Sequence, residues 1–177
     1  SARGVFMGEI DRMFEIRSLE SESLERIHGC FLDAFSEYEV KTDMPIERFV
    51  EMLTTRSWSK ELSVGCYHDQ ALIAFTLVGH RERASTRSCY DVATGTAKAY
   101  QNKGAGGRIL GELLTRLDGA GIDDFYLEVL ENNTGARRIY EKHGFEIIRK
   151  LLCYRNENPA RPDASERPVE GGIPGPI

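Results

Sequence analysis

The sequence predicts an α/β fold, with one mixed sheet flanked by helices in the order β-α-α-β-β-β-α-β-α-β. Three observations carry this. Strand-like runs alternate along the chain with apolar stripes at helical spacing. The stretch "LSVGCYHDQALIAFTLVGHRE" reads as a central hairpin turning at His68, Asp69 and Gln70. A glycine-rich turn with Gly104, Gly106 and Gly107 stands between a strand and an apolar helix.

"MFEIRSL" (13–19) alternates as a first strand. In "SESLERIHGCFLDAF", Leu24, Ile27, His28, Phe31 and Phe35 give a helix one apolar face, with His28 toward the core. "SEYEVKTDMP" is a loop, and Pro45 can open a second helix through "IERFVEML". After the hairpin, "TRSCYDVATGTAKAY" is a strand that breaks near Gly95. The helix "GGRILGELLTRLDGAG" buries Ile109, Leu110, Leu113, Leu114 and Leu117, and Gly119 or Gly121 ends it. "DDFYLEVL" (123–130) is a strand. "NNTGARRIYEKHG" is a short helix with Ala136, Ile139, Tyr140 and His143 on one face. "FEIIRKLLCYR" (145–155) completes the strands. Residues 12–155 therefore form the domain, and 156–177, rich in Pro, Gly and charge, form a tail. Val169, Ile173 and Ile177 offer that tail a docking contact on a neighbouring subunit.

Composition bounds the function classes. With a net charge of −5, the chain has no global basic field to attract nucleic acid. No apolar run approaches the roughly 20 residues that span a bilayer. "SARGVFMGEIDR" lacks the apolar middle of a signal peptide. Cys30, Cys66, Cys89 and Cys153 lie far apart without metal-site spacing, and they read as buried thiols in a reducing, cytoplasmic setting.

The glycine turn can cradle an anion. A helix N-terminus offers unpaired N–H groups and a positive dipole end, and glycine removes the Cβ from their path. Lys103 and Arg108 add charge, so a pyrophosphate suits the site. A merely flexible loop is the plainer reading. Two familiar phosphate loops are excluded. Arg108 follows Gly107 where a Walker A loop needs Lys and then Ser or Thr, and Ile109 stands where a dinucleotide fingerprint needs Gly or Ala.

At this point the sequence resembles the GNAT superfamily of N-acetyltransferases. Gln101-Asn102-Lys103-Gly104-Ala105-Gly106 matches its acetyl-CoA loop, with Tyr100 in the usual aromatic place. "LEVLENNTGARRIYEKHGFEII" resembles its later block, with Leu127, Glu128, Val129, Asn133, Ala136, Tyr140, Gly144 and Phe145 in register. The resemblance implies a splayed central sheet and acetyl-CoA as cofactor. It implies that the backbone of Thr94, Gly95 and Thr96 pairs with the pantetheine arm, although an apolar side chain is commoner at the position of Gly95. The amides of Asn102, Lys103, Gly104, Ala105, Gly106 and Gly107 would hold the pyrophosphate, and Gln101 would belong to the same cofactor site. Asn133 would reach the pantetheine side, besides capping its helix. Homodimers are common in that family, and no interface signature stands out in this sequence.

The implied reaction is direct attack of a primary amine on the acetyl thioester. An amine of pKa near 10.4 is neutral in only about one molecule in 2,500 at pH 7, so its proton must be taken. The resemblance puts Tyr140 beside the cofactor sulfur as proton donor. Glu128 and Asp91 are the candidate bases, with a structural ion pair open for Glu128 and substrate binding open for Asp91. A water chain can replace either. His143 reads as a helix-end residue. Glu37, Tyr38, Glu39 and Asp43 lie in the loop that shapes the acceptor site in the family, and they suit a cationic small-molecule or peptide amine, with a solvated acidic loop the equally open reading. The other class of function is a catalytically silent acyl-CoA-binding module of regulatory or scaffold type.

Overall fold

A computed structural model describes residues 14–37, 44–83 and 86–152. The chain divides into two units, residues 1–145 and 146–177. In the first unit the elements are β1 (Glu15–Ser18), α1 (Leu24–Ala34), α2 (Ile46–Thr55), β2 (Trp58–His68), β3 (Ala71–Arg83) and β4 (Thr86–Thr96). A 3-10 turn at Lys98–Tyr100 then leads to α3 (Ala105–Gly119), β5 (Asp124–Tyr126) and α4 (Thr134–Lys142). The five strands form one sheet in chain order. β1 to β4 are antiparallel neighbours, and β5 lies parallel to β4. This is the predicted mixed sheet flanked by helices.

Each element follows from local chemistry. Ser23 caps α1, its hydroxyl oxygen accepting from the Arg26 amide at 3.3 Å. The β2–β3 hairpin turns on Asp69 (φ 46°) and Gln70 (φ 67°). Two left-handed residues match the twist of the flanking strands. β2 begins at Trp58, earlier than the alternation starting at Leu62 indicates. There Trp58 pairs with Gly79, and its indole N–H donates to Ser63 Oγ at 2.8 Å. The polar Ser59, Lys60 and Glu61 conceal this start from a hydrophobic pattern.

The sheet carries a core on each face. Ile27, Phe31, Phe49, Leu53, Phe75, Leu77 and Val92 pack with α1 and α2 on one side. Val64, Cys66, Val78 and Cys89 pack with Ala105, Ile109, Leu113 and Leu117 of α3 on the other. Leu114, expected in that stripe, is half-buried. The His28 ring stacks 5.1 Å from Phe49, and its Nε2 donates to the Met44 carbonyl at 2.7 Å. His28 thus ties α1 to the start of α2 instead of sitting wholly in the core.

Two strand expectations are corrected. The strand expected over 123–130 is reduced to Asp124–Tyr126, and 127–130 carry no strand. A β-bulge in β4 begins just past the last β4–β5 pair, and bulges bend a strand away from its neighbour. The last strand, expected over 145–155, is absent from the described residues 145–152. Ile147, Ile148, Leu151 and Leu152 are exposed there. Apolar and β-branched residues favour a strand only where neighbours complete its packing. Cys153 and the tail 156–177, with Val169, Ile173 and Ile177, lie outside the described residues.

Candidate functional site

The site begins where two strands part. β4 and β5 pair at Ser88↔Asp124, Cys89↔Phe125 and Tyr90↔Tyr126, and there the pairing ends. β4 itself continues to Thr96, still paired with β3 at Thr94↔Thr76, Gly95↔Phe75 and Thr96↔Ala74. Its other edge, from Asp91 to Thr96, has no sheet partner among the described residues. At the parting point the register steps from Leu77↔Ala93 to Val78↔Asp91, so Val92 is an extra residue.

Gly95 has a packing reason of its own. A Cβ at that position would sit 2.8 Å from both Ala34 Cβ and Phe75 Cζ. α1 lies too close to the sheet for the apolar side chain that is commoner here.

The open edge runs into the glycine turn. Asn102 (φ 60°) and Gly104 (φ 85°) are left-handed, and Gly104 is the N-cap of α3. Gln101 Nε2 donates to the Thr96 carbonyl at 3.2 Å, closing the turn on the end of β4. Ala105, 1% exposed, anchors the first turn of α3 in the core. Among the described residues, no backbone carbonyl accepts from the amides of Asn102, Lys103, Gly104, Ala105, Gly106 or Gly107. Among the described residues, a Cβ at Gly104 would meet nothing within 4 Å. Those at Gly106 and Gly107 would meet only Ile139, at 3.9 and 4.0 Å. The turn therefore gathers amides without backbone acceptors at a helix N-terminus, the arrangement that suits an anion. Lys103 Nζ lies 5.4 Å from the Tyr100 ring, and Arg108 Cζ lies 5.9 Å from the Phe14 ring. Tyr100 is held in turn by a 3.1 Å hydrogen bond between its hydroxyl and His68 Nδ1.

The family model described as "Acetyltransferase (GNAT) family" matches residues 23–145, which span the parted strands, the glycine turn and α4. The chain belongs to the GNAT acetyltransferase family. No curated protein sequence matches it. Solved structures share its fold. One is an aminoglycoside acetyltransferase from an uncultured soil metagenomic sample, in complex with trehalose. It is 13% identical at a TM-score of 0.67, with 84% of this chain and 98% of that chain covered. A ribosomal-protein-alanine N-acetyltransferase from Brucella melitensis biovar Abortus 2308 is 15% identical at a TM-score of 0.60, covering 81% and 99%. AAC(6')-Iy in complex with the bisubstrate analogue CoA-S-monomethyl-acetylneamine is 15% identical at a TM-score of 0.60, covering 82% and 99%.

In this GNAT chain, α4 lies beside α3. Ile139 approaches the glycine turn, and His143 Nε2 lies 3.6 Å from where a Gly111 Cβ would be. His143 Nδ1 donates to the Ile139 carbonyl at 2.8 Å, the helix-end role expected for it. Asn133 caps α4, its Oδ1 accepting from the Ala136 amide at 3.1 Å. Tyr140, one residue beyond Ile139, is half-buried with its ring 5.7 Å from Phe145.

The two carboxylate candidates differ. Glu128 is exposed and lies beyond the end of β5. Asp91 lies at the bulge, half-buried. Burial pushes its carboxyl from the ordinary 3.8 up to about 7, although the Thr94 hydroxyl and the Arg56 charge pull it down. Glu37 is engaged by Lys98, Nζ to Oε1 at 2.5 Å, and Asp33 Oδ2 accepts from the Lys98 amide at 3.1 Å. The end of α1 is thereby fastened to the turn after β4. Tyr38, Glu39 and Asp43 lie outside the described residues.

Thr76 belongs with this site and carries a sequence signal, being the one hydroxyl in "ALIAFTLV" (71–78). It is 2% exposed, and its Oγ1 is 3.1 Å from that of Thr94. A buried hydroxyl needs a partner, so one in an apolar strand points to a polar group on the next strand. Among the described residues, no group of three or more His, Cys, Asp or Glu side chains could hold a metal, and no helix is long and apolar enough to cross a membrane.

Proposed function

We propose that this protein is an N-acetyltransferase that moves an acetyl group from acetyl-CoA to a primary amine. One observation carries the reading: the edge of β4 that has no sheet partner among the described residues leads into six consecutive amides that have no backbone acceptor among them, at the N-terminus of α3. An extended amide-bearing arm suits the first, and a diphosphate suits the second. Among the described residues no atom lies within 4 Å of where a Gly104 Cβ would be, so no side chain stands over that end of the turn.

Acetyl-CoA, when bound, supplies a thioester carbonyl open to nucleophilic attack. The chain's own residues handle the protons. Asp91 is the base that accepts the proton of the acceptor amine, since a carboxyl near pKa 7 is matched to neutral pH. Tyr140 donates its phenolic proton to the departing sulfur as the new N–C bond forms and the S–C bond breaks. Asn102 to Gly107 bind by their amides, and the backbone of Thr94 to Thr96 orients the thioester arm. Glu128, exposed and off the strand, is not assigned the base role. Among the solved structures sharing the fold, an aminoglycoside acetyltransferase and a complex with a CoA–neamine bisubstrate analogue support a small-molecule amine as acceptor. The buried free thiols Cys30, Cys66 and Cys89 suit a reducing, cytoplasmic setting.

The test is thiol release from acetyl-CoA across polyamines, amino acids, aminoglycosides and peptides, alongside calorimetric binding of CoA. Amine-dependent release is expected. Tight CoA binding without release from any acceptor would instead mark a silent acyl-CoA-binding module.

A further inference from the structure

In a regular strand residues 91 and 94 face opposite sides of the sheet, because side chains alternate with a period of two. Here Thr94 Oγ1 lies 3.0 Å from Asp91 Oδ1. The bulge explains the contact. The extra residue Val92 shifts the phase, so Val92 and Ala93 both reach the α1–α2 core. Asp91 and Thr94 are left on the same face.

A third residue extends the chain of contacts. Thr94 Oγ1 is 3.1 Å from Thr76 Oγ1, directly opposite it on β3. A hydroxyl has one proton to donate. With the Thr94 proton given to the Asp91 carboxylate, Thr76 is the donor to Thr94. The buried position of Thr76 removes water as a competitor for that bond.

We propose that Thr94, held by Thr76, is a positioning residue for the reaction. Its hydroxyl occupies Asp91 Oδ1, fixes the carboxylate rotamer at the parting point of β4 and β5, and leaves Oδ2 as the atom that takes the amine proton. The N–H bond of the amine breaks, its proton passes to Oδ2, and the Thr94 bond at Oδ1 is retained. This rests on Asp91 as base. It concerns the Thr94 side chain, whereas the thioester arm is bound by the Thr94 backbone, and the two are separable by mutation.

The experiment compares wild type, Thr94→Val, Thr94→Ser, Thr76→Val, Asp91→Asn and the double variant Thr94→Val/Asp91→Asn. The readout is acetyl-CoA turnover with the amine panel, with thermal unfolding to verify folding. Thr94→Val is expected to lower kcat about 10-fold or more, with KM for acetyl-CoA within about 2-fold of wild type. Thr94→Ser restores the hydroxyl and most of kcat, and Thr76→Val gives a smaller loss. In the Asp91→Asn background, Thr94→Val produces no further loss, because the residue acts through Asp91. Wild-type kcat in a folded Thr94→Val protein overturns the proposal, and so does an equal loss with and without Asp91. Unimpaired Asp91→Asn, or no turnover by the wild type, overturns the underlying reading of the base or of the enzyme.

Discussion

A Cβ added to Gly95 would stand 2.8 Å from Cζ of Phe75, the ring directly opposite it across the β3–β4 ladder. The same atom would meet Ala34 of α1 at 2.8 Å. One small residue thus sets how closely α1 lies over the strand that borders the cleft.

Gly95→Val therefore overpacks both neighbours. A loss of about 1–3 kcal/mol in urea unfolding is expected, with a smaller loss for Gly95→Ala. Unchanged stability for the valine variant would mean that α1 moves freely off the sheet.

Gly104 combines a left-handed backbone with open space. Gly104→Ala is expected to cost about 1–2 kcal/mol through backbone strain alone. Gly104→Asn relieves much of that strain, since asparagine tolerates this region. Gly104→Asp adds a carboxylate where the diphosphate would lie, so calorimetry should detect no CoA binding. Retained CoA affinity in the folded aspartate variant would remove the cradle from the turn.

Tyr140→Phe keeps the ring against Phe145 and removes the proton. Turnover is expected to fall by about 10²-fold with CoA affinity unchanged. Equal turnover across the pH range would reassign Tyr140 to packing.

With Asp91 as the proposed base, rate and stability are both expected to depend on pH. Its carboxyl rises from 3.8 unfolded to about 7 folded, burial being the main cause. Between those values the folded chain binds more protons than the unfolded chain, so stability falls as pH rises through the window and levels off above about 7. Asp91→Asn removes this slope. It should raise relative stability at pH 8 over that at pH 4 by up to a few kcal/mol, on the order expected for such a shift. Urea unfolding at pH 4, 6 and 8 checks this, and parallel pH profiles would refute it. Turnover that uses Asp91 as its base is expected to rise with pH through about 7.

Asn133 has a demonstrated cap and an expected cofactor contact. Asn133→Ala should cost about 1 kcal/mol, and Asn133→Ser should retain the cap. Lost CoA affinity in the serine variant would isolate the cofactor contact, whereas unchanged affinity would leave capping as its role.

Local pattern alone specified much of this chain. Apolar spacing at Ile27, Phe31, Ile109, Leu113 and Leu117 is set by the helical period, and all five are buried. The glycine turn and the Asn133 cap were likewise legible, because backbone permissiveness and capping act within a few residues. Only the tertiary structure decided that β5 stops at Tyr126, that Gly95 is dictated by Phe75 and Ala34, and that Asp91 meets Thr94 across an odd spacing. Each depends on a partner distant in sequence or on a single extra residue in the ladder. A bulge shows in the sequence only as two neighbouring apolar residues, Val92 and Ala93, yet it inverts which face every later side chain of β4 presents.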